Sequence, residues 1–463
     1  MREGYEVLLM KMTVEEIAKA CGGRLLCGDP QTLVTSVTTD SRKTEPGSLF
    51  VPIIGEKTDA HMFIHAALAG GSSAAFTQEH SAMNDEKPWI AVDNTLEALQ
   101  SLAVFHRKKF EIPIVGITGS VGKTTTKEMV ALALSAGLNV MKTRGNLNSQ
   151  VGLPQTLLEL SEEHQAAVIE MGMSNFGEMS RLARIVEPAC AVITNIGISH
   201  IGQLKTKENI LREKLHITDR FRENAVLFLN GDDEMLAALR GKVPYTTVFY
   251  GTGPECDFRA EEVQTEGESI SFRYHTPKGE TGQVVLPVPG MHHVSDALAG
   301  LAVASHFGIA AADAARTLAS YRPLAMRQMI YHVNEITLID DSYNASPDTA
   351  RSSLQVLSSF HTGRRVAVLA DMLELGDYSE QAHFDVGAAA AKAGVDILIT
   401  VGERAEAIAE GARSVAPAID CRVLPADNAQ AIQTLKSILT AGDAVLIKGS
   451  RGMKTEEIVR SLL

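Results

Sequence analysis

The segment Gly116-Ile-Thr-Gly-Ser-Val-Gly-Lys-Thr-Thr125 places closely spaced glycines, one lysine and three threonines at the passage from an apolar run, Ile112 to Ile117, to a helical pattern, Thr124 to Ser135. Glycines let backbone N–H groups approach phosphate oxygens, a lysine brings charge to the terminal phosphates, and a threonine hydroxyl can hold Mg²⁺. The N-terminus of the helix that follows adds a partial positive charge. Lys123 is therefore assigned to the β and γ phosphates of a nucleoside triphosphate and Thr124 to its metal, with Thr118, Gly119, Ser120, Val121, Gly122 and Thr125 completing the loop. The first glycine stands at 116, where the common spacing would put it at 117, but the Gly122-Lys123-Thr124 end is intact. A merely Gly-rich turn would not need this strand-to-helix context. No guanine-recognition stretch of the Asn-Lys-x-Asp type accompanies the loop, which points to ATP rather than GTP.

Three further residues carry chemistry only in combination. Glu170 closes the apolar run Ala167 to Ile169, at the strand edge where ligands of parallel sheets gather; alone it is a solvated strand-end acid, and beside a phosphate loop it is a candidate metal ligand. His200 follows another apolar strand, Ala189 to Asn195; a lone histidine is usually structural and gains weight here from its neighbours. Lys214 shares one stripe of a helical pattern, Glu208 to Arg220, with Ile210, Ile217 and Phe221. Its stem can snorkel and release the ammonium to water. Otherwise the charge is buried, which costs several kcal/mol if it is unpaired.

These groups need a scaffold of parallel strands. Apolar runs of strand length alternate with helical patterns along the chain, the pattern of sheets covered by helices. At 463 residues there is more chain than one core can use. Three α/β domains are expected: residues 1–108; residues 109–320, carrying the phosphate loop, with an antiparallel addition over Tyr245 to Leu286; and residues 321–463, with strands at Thr337 to Ile339, Arg365 to Ala370, Asp396 to Val401 and Ala444 to Lys448. Apolar residues at 45% and charged residues at 21% suit an ordinary soluble globular protein. A net charge of −13 argues against nucleic acid as partner. Five scattered cysteines read as reduced thiols. The apolar run Val7 to Met10 is too short for a signal peptide, and no stretch approaches the roughly 20 apolar residues of a membrane span, so a cytoplasmic protein without membrane insertion is expected.

Taken together these residues resemble the Mur ligases, ATP-dependent enzymes that add amino acids to peptidoglycan precursors, over essentially the whole chain. The resemblance implies three-domain α/β architecture with a central P-loop parallel-sheet domain and a C-terminal Rossmann-like domain. It implies magnesium on Glu170 and His200, two Mg²⁺ sites, and a carbamylated Lys214 that acts as a carboxylate-like ligand. Asn146-Leu-Asn-Ser-Gln-Val-Gly-Leu-Pro154 matches the family's Asn-x-Asn-x-x-x-Gly-x-Pro, which places Asn146 and Asn148 near substrate and phosphates. Arg327 resembles the arginine that reaches ATP from the third domain. Asp340-Asp-Ser-Tyr-Asn-Ala-Ser-Pro347 is similar to the signature of the member that adds D-alanyl-D-alanine, which implicates Asp341, Ser342, Tyr343 and Asn344. Without the resemblance this stretch is a polar turn after a strand. Thr39-Asp-Ser-Arg42 resembles the segment that holds the uridine nucleotide, through Ser41 and Arg42. The implied substrates are UDP-MurNAc-tripeptide and D-Ala-D-Ala, and a monomer is expected. His292 matches the family's Gly-x-His-Asn-x-x-Asn, in which His293 and Asp296 stand where asparagines are usual; Ser346 and Ala60 are further departures. The alternatives are a ligase adding one amino acid to the dipeptide precursor or glutamate to folate, and, from another class, a P-loop ATPase switch.

Overall fold

The structure is a computed structural model that describes residues 10–55, 57–360 and 363–463. All but the last residue of the run Val7 to Met10 lies outside them. Three α/β sheets follow one another along the chain. The first has the order Arg24–Cys27, Trp89–Ala91, Ala74–Thr77, Ser48–Phe50, Ser36–Thr38, parallel except for its first strand. Helix Thr95–Arg107, started by the Asn94 side chain accepting from Glu97 N, then leaves this sheet. Its buried stripe of Leu99, Leu102 and Ala103 enters the same apolar core as Leu157, Leu182 and Ile185 of the middle body, and His106 Nε2 lies 2.9 Å from Leu160 O.

The middle sheet has nine strands. The phosphate-loop strand Ile114–Thr118 runs parallel between Ala166–Glu170 and Cys190–Ile193, and every residue of these strands is buried, as a sheet covered on both faces requires. From Ile114–Thr118 the chain moves out to Val140–Lys142, returns through Ala166–Glu170, and only then crosses to Cys190–Ile193. The loops leaving the neighbouring strands therefore diverge at their C-terminal ends, and a crevice opens there. Thr118, Glu170 and the chain leading to His200 all emerge at this edge.

The expected antiparallel addition begins later than Tyr245. Thr246–Gly251 continues the parallel sheet beside Val226–Asn230, and Phe258–Glu266 joins it in parallel over two residue pairs; Ser269–His275 and Thr281–Leu286 alone are antiparallel. A parallel connection normally needs a long crossover. Here Asp232 folds the short link back by accepting from Thr252 N at 2.8 Å and Gly253 N at 2.9 Å.

The third sheet has the order Met329–Val333, Ile336–Asp341, Ala444–Lys448, Arg365–Ala370, Ile397–Val401, Asp420–Leu424; its two outer strands were not foreseen. Asp340 and Asp341 belong to the strand, paired with Ile447 and Lys448, and not to a turn. The turn starts one residue later, where Asp340 Oδ1 accepts from Ser342 N at 3.1 Å and Ser342 Oγ at 2.5 Å. Helices Ser379–Lys392 and Ala405–Val415 cross on glycines. A Cβ at Gly387 would sit 1.8 Å from Ile408 O, and one at Gly411 1.9 Å from Phe384 O. Both obstacles are backbone, so Gly411→Ala is expected to lower stability by about 1–3 kcal/mol. Urea unfolding of the full chain checks this, with a shifted midpoint and a preserved phosphate-loop body as the expected result.

Candidate active site

The phosphate loop is stapled to the end of the neighbouring strand. Ser120 N donates to Asn195 O (3.0 Å), Val121 N to Asn195 Oδ1 (3.0 Å), and Thr194 Oγ1 and Asn195 Nδ2 donate to Val121 O at 2.5 and 3.0 Å. At Gly119, φ is +151° and a Cβ would lie 1.8 Å from Thr194 Oγ1, so only glycine fits. Neither Thr194 nor Asn195 was foreseen, because nothing in the sequence says which strand lies beside the loop. The hydroxyls of Thr118 and Ser120 are buried and have no hydrogen-bond partner among the described residues. Lys123 Nζ donates to Gly119 O at 2.8 Å and Ser120 O at 3.2 Å; burial lowers its pKa, Glu170 opposes this and Arg327 reinforces it.

Glu170 is buried at the end of its strand. Asn148 Nδ2 donates to its Oε1 at 2.6 Å, while its Oε2 has no hydrogen-bond partner among the described residues. The nearest cation is Lys127 Nζ at 3.8 Å, a fully buried ammonium that donates to Thr143 O (2.7 Å) and pairs with Glu128 (3.2 Å). Lys127 went unnoticed in the sequence because helix periodicity alone does not mark it. Lys123, Thr124, Asn146, Asn148, Glu170 and His200 line one cavity of about 540 Å³, and Arg327, Asp341, Tyr343 and Asn344 of the third body close its opposite wall.

His200 sits in the left-handed region, φ +62°, just before the short helix Ile201–Leu204. Lys214 does not snorkel: it is 2% exposed in helix Lys207–Leu215 and does not line the cavity. That helix ends earlier than the pattern to Arg220 suggested, and Thr218 Oγ1 donating to Leu215 O at 2.8 Å accompanies the tighter turn His216–Thr218. Burial, then the nearby Lys123, push the Lys214 amine well below its ordinary pKa, against the pull of Glu213.

A second cavity of about 340 Å³ opens on the other side of the loop, between Val121, Gly122, Thr125 and the helix His292–His306, with Arg327 and Asp341 shared between the two. Arg327 also stacks on Tyr343, 4.0 Å from the ring centroid, while Asp341 pairs with the buried Lys448. Ser342 lines neither cavity, since its hydroxyl is committed to Asp340. Ser41 and Arg42 are also absent from both; Arg42 grips Asp40 through two 2.9 Å contacts on the first body.

Three family models match this chain: the Mur ligase family catalytic domain over residues 33–107, the Mur ligase middle domain over 117–304, and the Mur ligase glutamate ligase domain over 326–451. The UDP-N-acetylmuramoyl-tripeptide--D-alanyl-D-alanine ligase of Bacillus subtilis is 38% identical over 462 residues, covering 98% of this chain and 99% of that protein. The chain belongs to the Mur ligase family. The Escherichia coli enzyme of the same name is 33% identical over 98% of this chain and 99% of its own. A crystal structure of MurF from Acinetobacter baumannii superposes with a TM-score of 0.89 at 32% identity, covering 98% of this chain and 99% of that one. MurF ligase from Thermotoga maritima, solved in complex with ADP, gives 0.79 at 27% identity over 92% and 96%.

His293 and Asp296 meet near the start of the helix His292–His306. Thr126 Oγ1 donates to Asp296 Oδ1 at 2.5 Å, and His293 Nδ1, 3.7 Å from Asp296 Oδ2, has no hydrogen-bond partner among the described residues. Burial raises the Asp296 carboxyl to about 6 and lowers His292 to about 3 and His293 to about 4. A carboxyl raised on folding contributes stability that is present below its unfolded value and lost as pH rises through about 6. The amide of Asp296→Asn keeps the acceptor for Thr126 and removes the buried charge. Thermal melts across pH are therefore expected to show Asp296→Asn more stable than the parent above pH 6, with the difference vanishing towards pH 4.

Proposed function

We propose that this chain joins the amino group of D-alanyl-D-alanine to the terminal carboxylate of UDP-MurNAc-tripeptide, converting ATP to ADP and phosphate. The observation that carries the reading is the shared cavity, in which the loop and acids of the middle body face Arg327, Tyr343 and Asn344 of the third. A carboxylate oxygen is a poor leaving group. Transfer of the γ-phosphoryl to it gives an acyl phosphate, which the incoming amine attacks with release of phosphate. Such a transfer asks the protein mainly for positioning and charge neutralisation.

Lys123 holds the β and γ phosphates, and Arg327, which lines both cavities, follows the charge as it moves to the new acyl phosphate. Asn148 orients Glu170 and faces the substrate carboxylate. The donor set fits a hard cation: Glu170 Oε2 is a buried carboxylate oxygen without a hydrogen-bond donor among the described residues, and Thr124 adds a hydroxyl from the same cavity. Thr124 and Glu170 would hold one Mg²⁺, and His200 with a carbamylated Lys214 a second. Bound magnesium supplies the positive charge that lets two anions approach. For Lys214 the low-pKa amine supports the carbamate, because only the neutral amine bonds to the carbon of CO₂, losing a proton as the carbamate forms. Ser41 and Arg42 would serve the uridine nucleotide on a first domain of residues 1–108. A monomer with domains 109–320 and 321–463 closing over the acyl phosphate would keep water from it.

Phosphate release from purified chain, UDP-MurNAc-tripeptide and ATP is expected with D-Ala-D-Ala and not with single amino acids. Lys123→Ala and Glu170→Ala should each lower kcat by about 100-fold or more. ATP hydrolysis at an undiminished rate without any acceptor would favour the switch reading instead. For the carbamate, ¹³C-bicarbonate should give a protein-bound carbamate resonance in the parent that is missing from Lys214→Arg.

A further inference from the structure

Glu374 lies on the loop after strand Arg365–Ala370, in the third body, and its Oε2 comes 3.2 Å from Nδ1 of His200 in the middle body. The approach is built on both sides. A Cβ at Gly202 would stand only 3.2 Å from Glu374 O and 3.4 Å from Gly376 N, so the short helix after His200 and the Glu374 loop meet backbone to backbone. Tyr378 OH adds a contact to Lys205 O at 3.4 Å. The loop is anchored to its own body, where Leu373 N donates to Ser450 Oγ and Met372 N to His383 Nε2, both at 2.9 Å. His200 and Glu374 both hold left-handed backbone, φ +62° and +66°, which side-chain-bearing residues keep only when their surroundings impose it.

As an ion pair this contact would add little to stability, since the Glu374 side chain is 61% exposed. Its geometry matters for another reason. A histidine that binds metal through one ring nitrogen is usually oriented by a carboxylate on the other, which fixes the tautomer and raises ligand basicity. We propose that Glu374 is a positioning residue for His200: it accepts from Nδ1–H, leaves Nε2 as the free nitrogen for a divalent cation, and does so only while the third body is docked. The cation site is thereby completed by domain closure. This rests on His200 being a metal ligand.

Mn²⁺ serves as the probe, titrated by EPR into the full chain with saturating ADP. Glu374→Ala is expected to weaken the Mn²⁺ site by about 10–100-fold and Glu374→Gln by less, because an amide oxygen still accepts from Nδ1–H. The melting temperature should not move. His200→Ala should lose the same site, and adding Glu374→Ala to it should change nothing more. Linkage further requires that Mn²⁺ with ADP compact the parent in small-angle scattering more than it compacts Glu374→Ala. If His200→Ala binds Mn²⁺ like the parent, the ligand reading falls and the proposal with it. If His200→Ala loses the site but Glu374→Ala keeps it, or if the two substitutions add, the ligand reading stands and Glu374 has no such role. Equal compaction of the parent and Glu374→Ala overturns the coupling to closure.

Discussion

Two anions can be held in one cavity only where positive charge outweighs their repulsion, and most of this structure is arranged around that requirement. The crevice at the C-terminal edge of the middle sheet collects the phosphate loop, Glu170 and His200, while buried lysines stand close by: Lys127 beside Glu170, Lys214 near Lys123, and Lys448 paired with Asp341. Two of these, Lys127 and Lys448, face carboxylates and keep their charge partnered. Lys214 has no such partner at close range among the described residues, and burial, then the nearby Lys123, lower the pKa of its amine.

The phosphate loop was legible because its chemistry is local: the residues that touch phosphate are consecutive, and the strand and helix that aim them flank the same stretch. Glu170 was legible for a similar reason, as the last residue of an apolar run. The staples on the loop were not. Asn195 and Thr194 come from a strand that adjoins the loop only because the chain visits Val140–Lys142 and Ala166–Glu170 first, and strand order leaves no periodic trace. Lys214 stood out by pattern, yet pattern gave no choice between snorkelling and burial, a matter settled by what packs over the helix.

Two misreadings have a common cause. Without the family resemblance Asp340 and Asp341 read as part of a polar turn after a strand, and Tyr245 to Leu286 reads as an antiparallel addition because its β-type segments alternate around Gly and Pro. In both places side chains overrode propensity: Lys448 and Ser353 satisfy Asp341, the latter at 2.5 Å, and Asp232 folds the short parallel link. Charges in a strand are tolerable once paired, and pairing is decided by tertiary structure.

The third body meets the middle one largely through polar contacts: Arg327 over the loop, His332 Nε2 at 2.5 Å from Glu268, and Glu374 on His200, with Ile198 contributing apolar contact to the third core. Arg327 is flanked by Met326 and Gln328 at φ +64° and +53°, so the chain enters the third body through strained backbone. A junction of polar contacts, without a large apolar seam, leaves relative movement of the two bodies as the default expectation. A ligase needs such a junction, since three substrates must enter a cavity that later excludes water. The same few side chains that complete the site are then the ones that report closure to it, and catalysis and gating share residues because both depend on one moving wall.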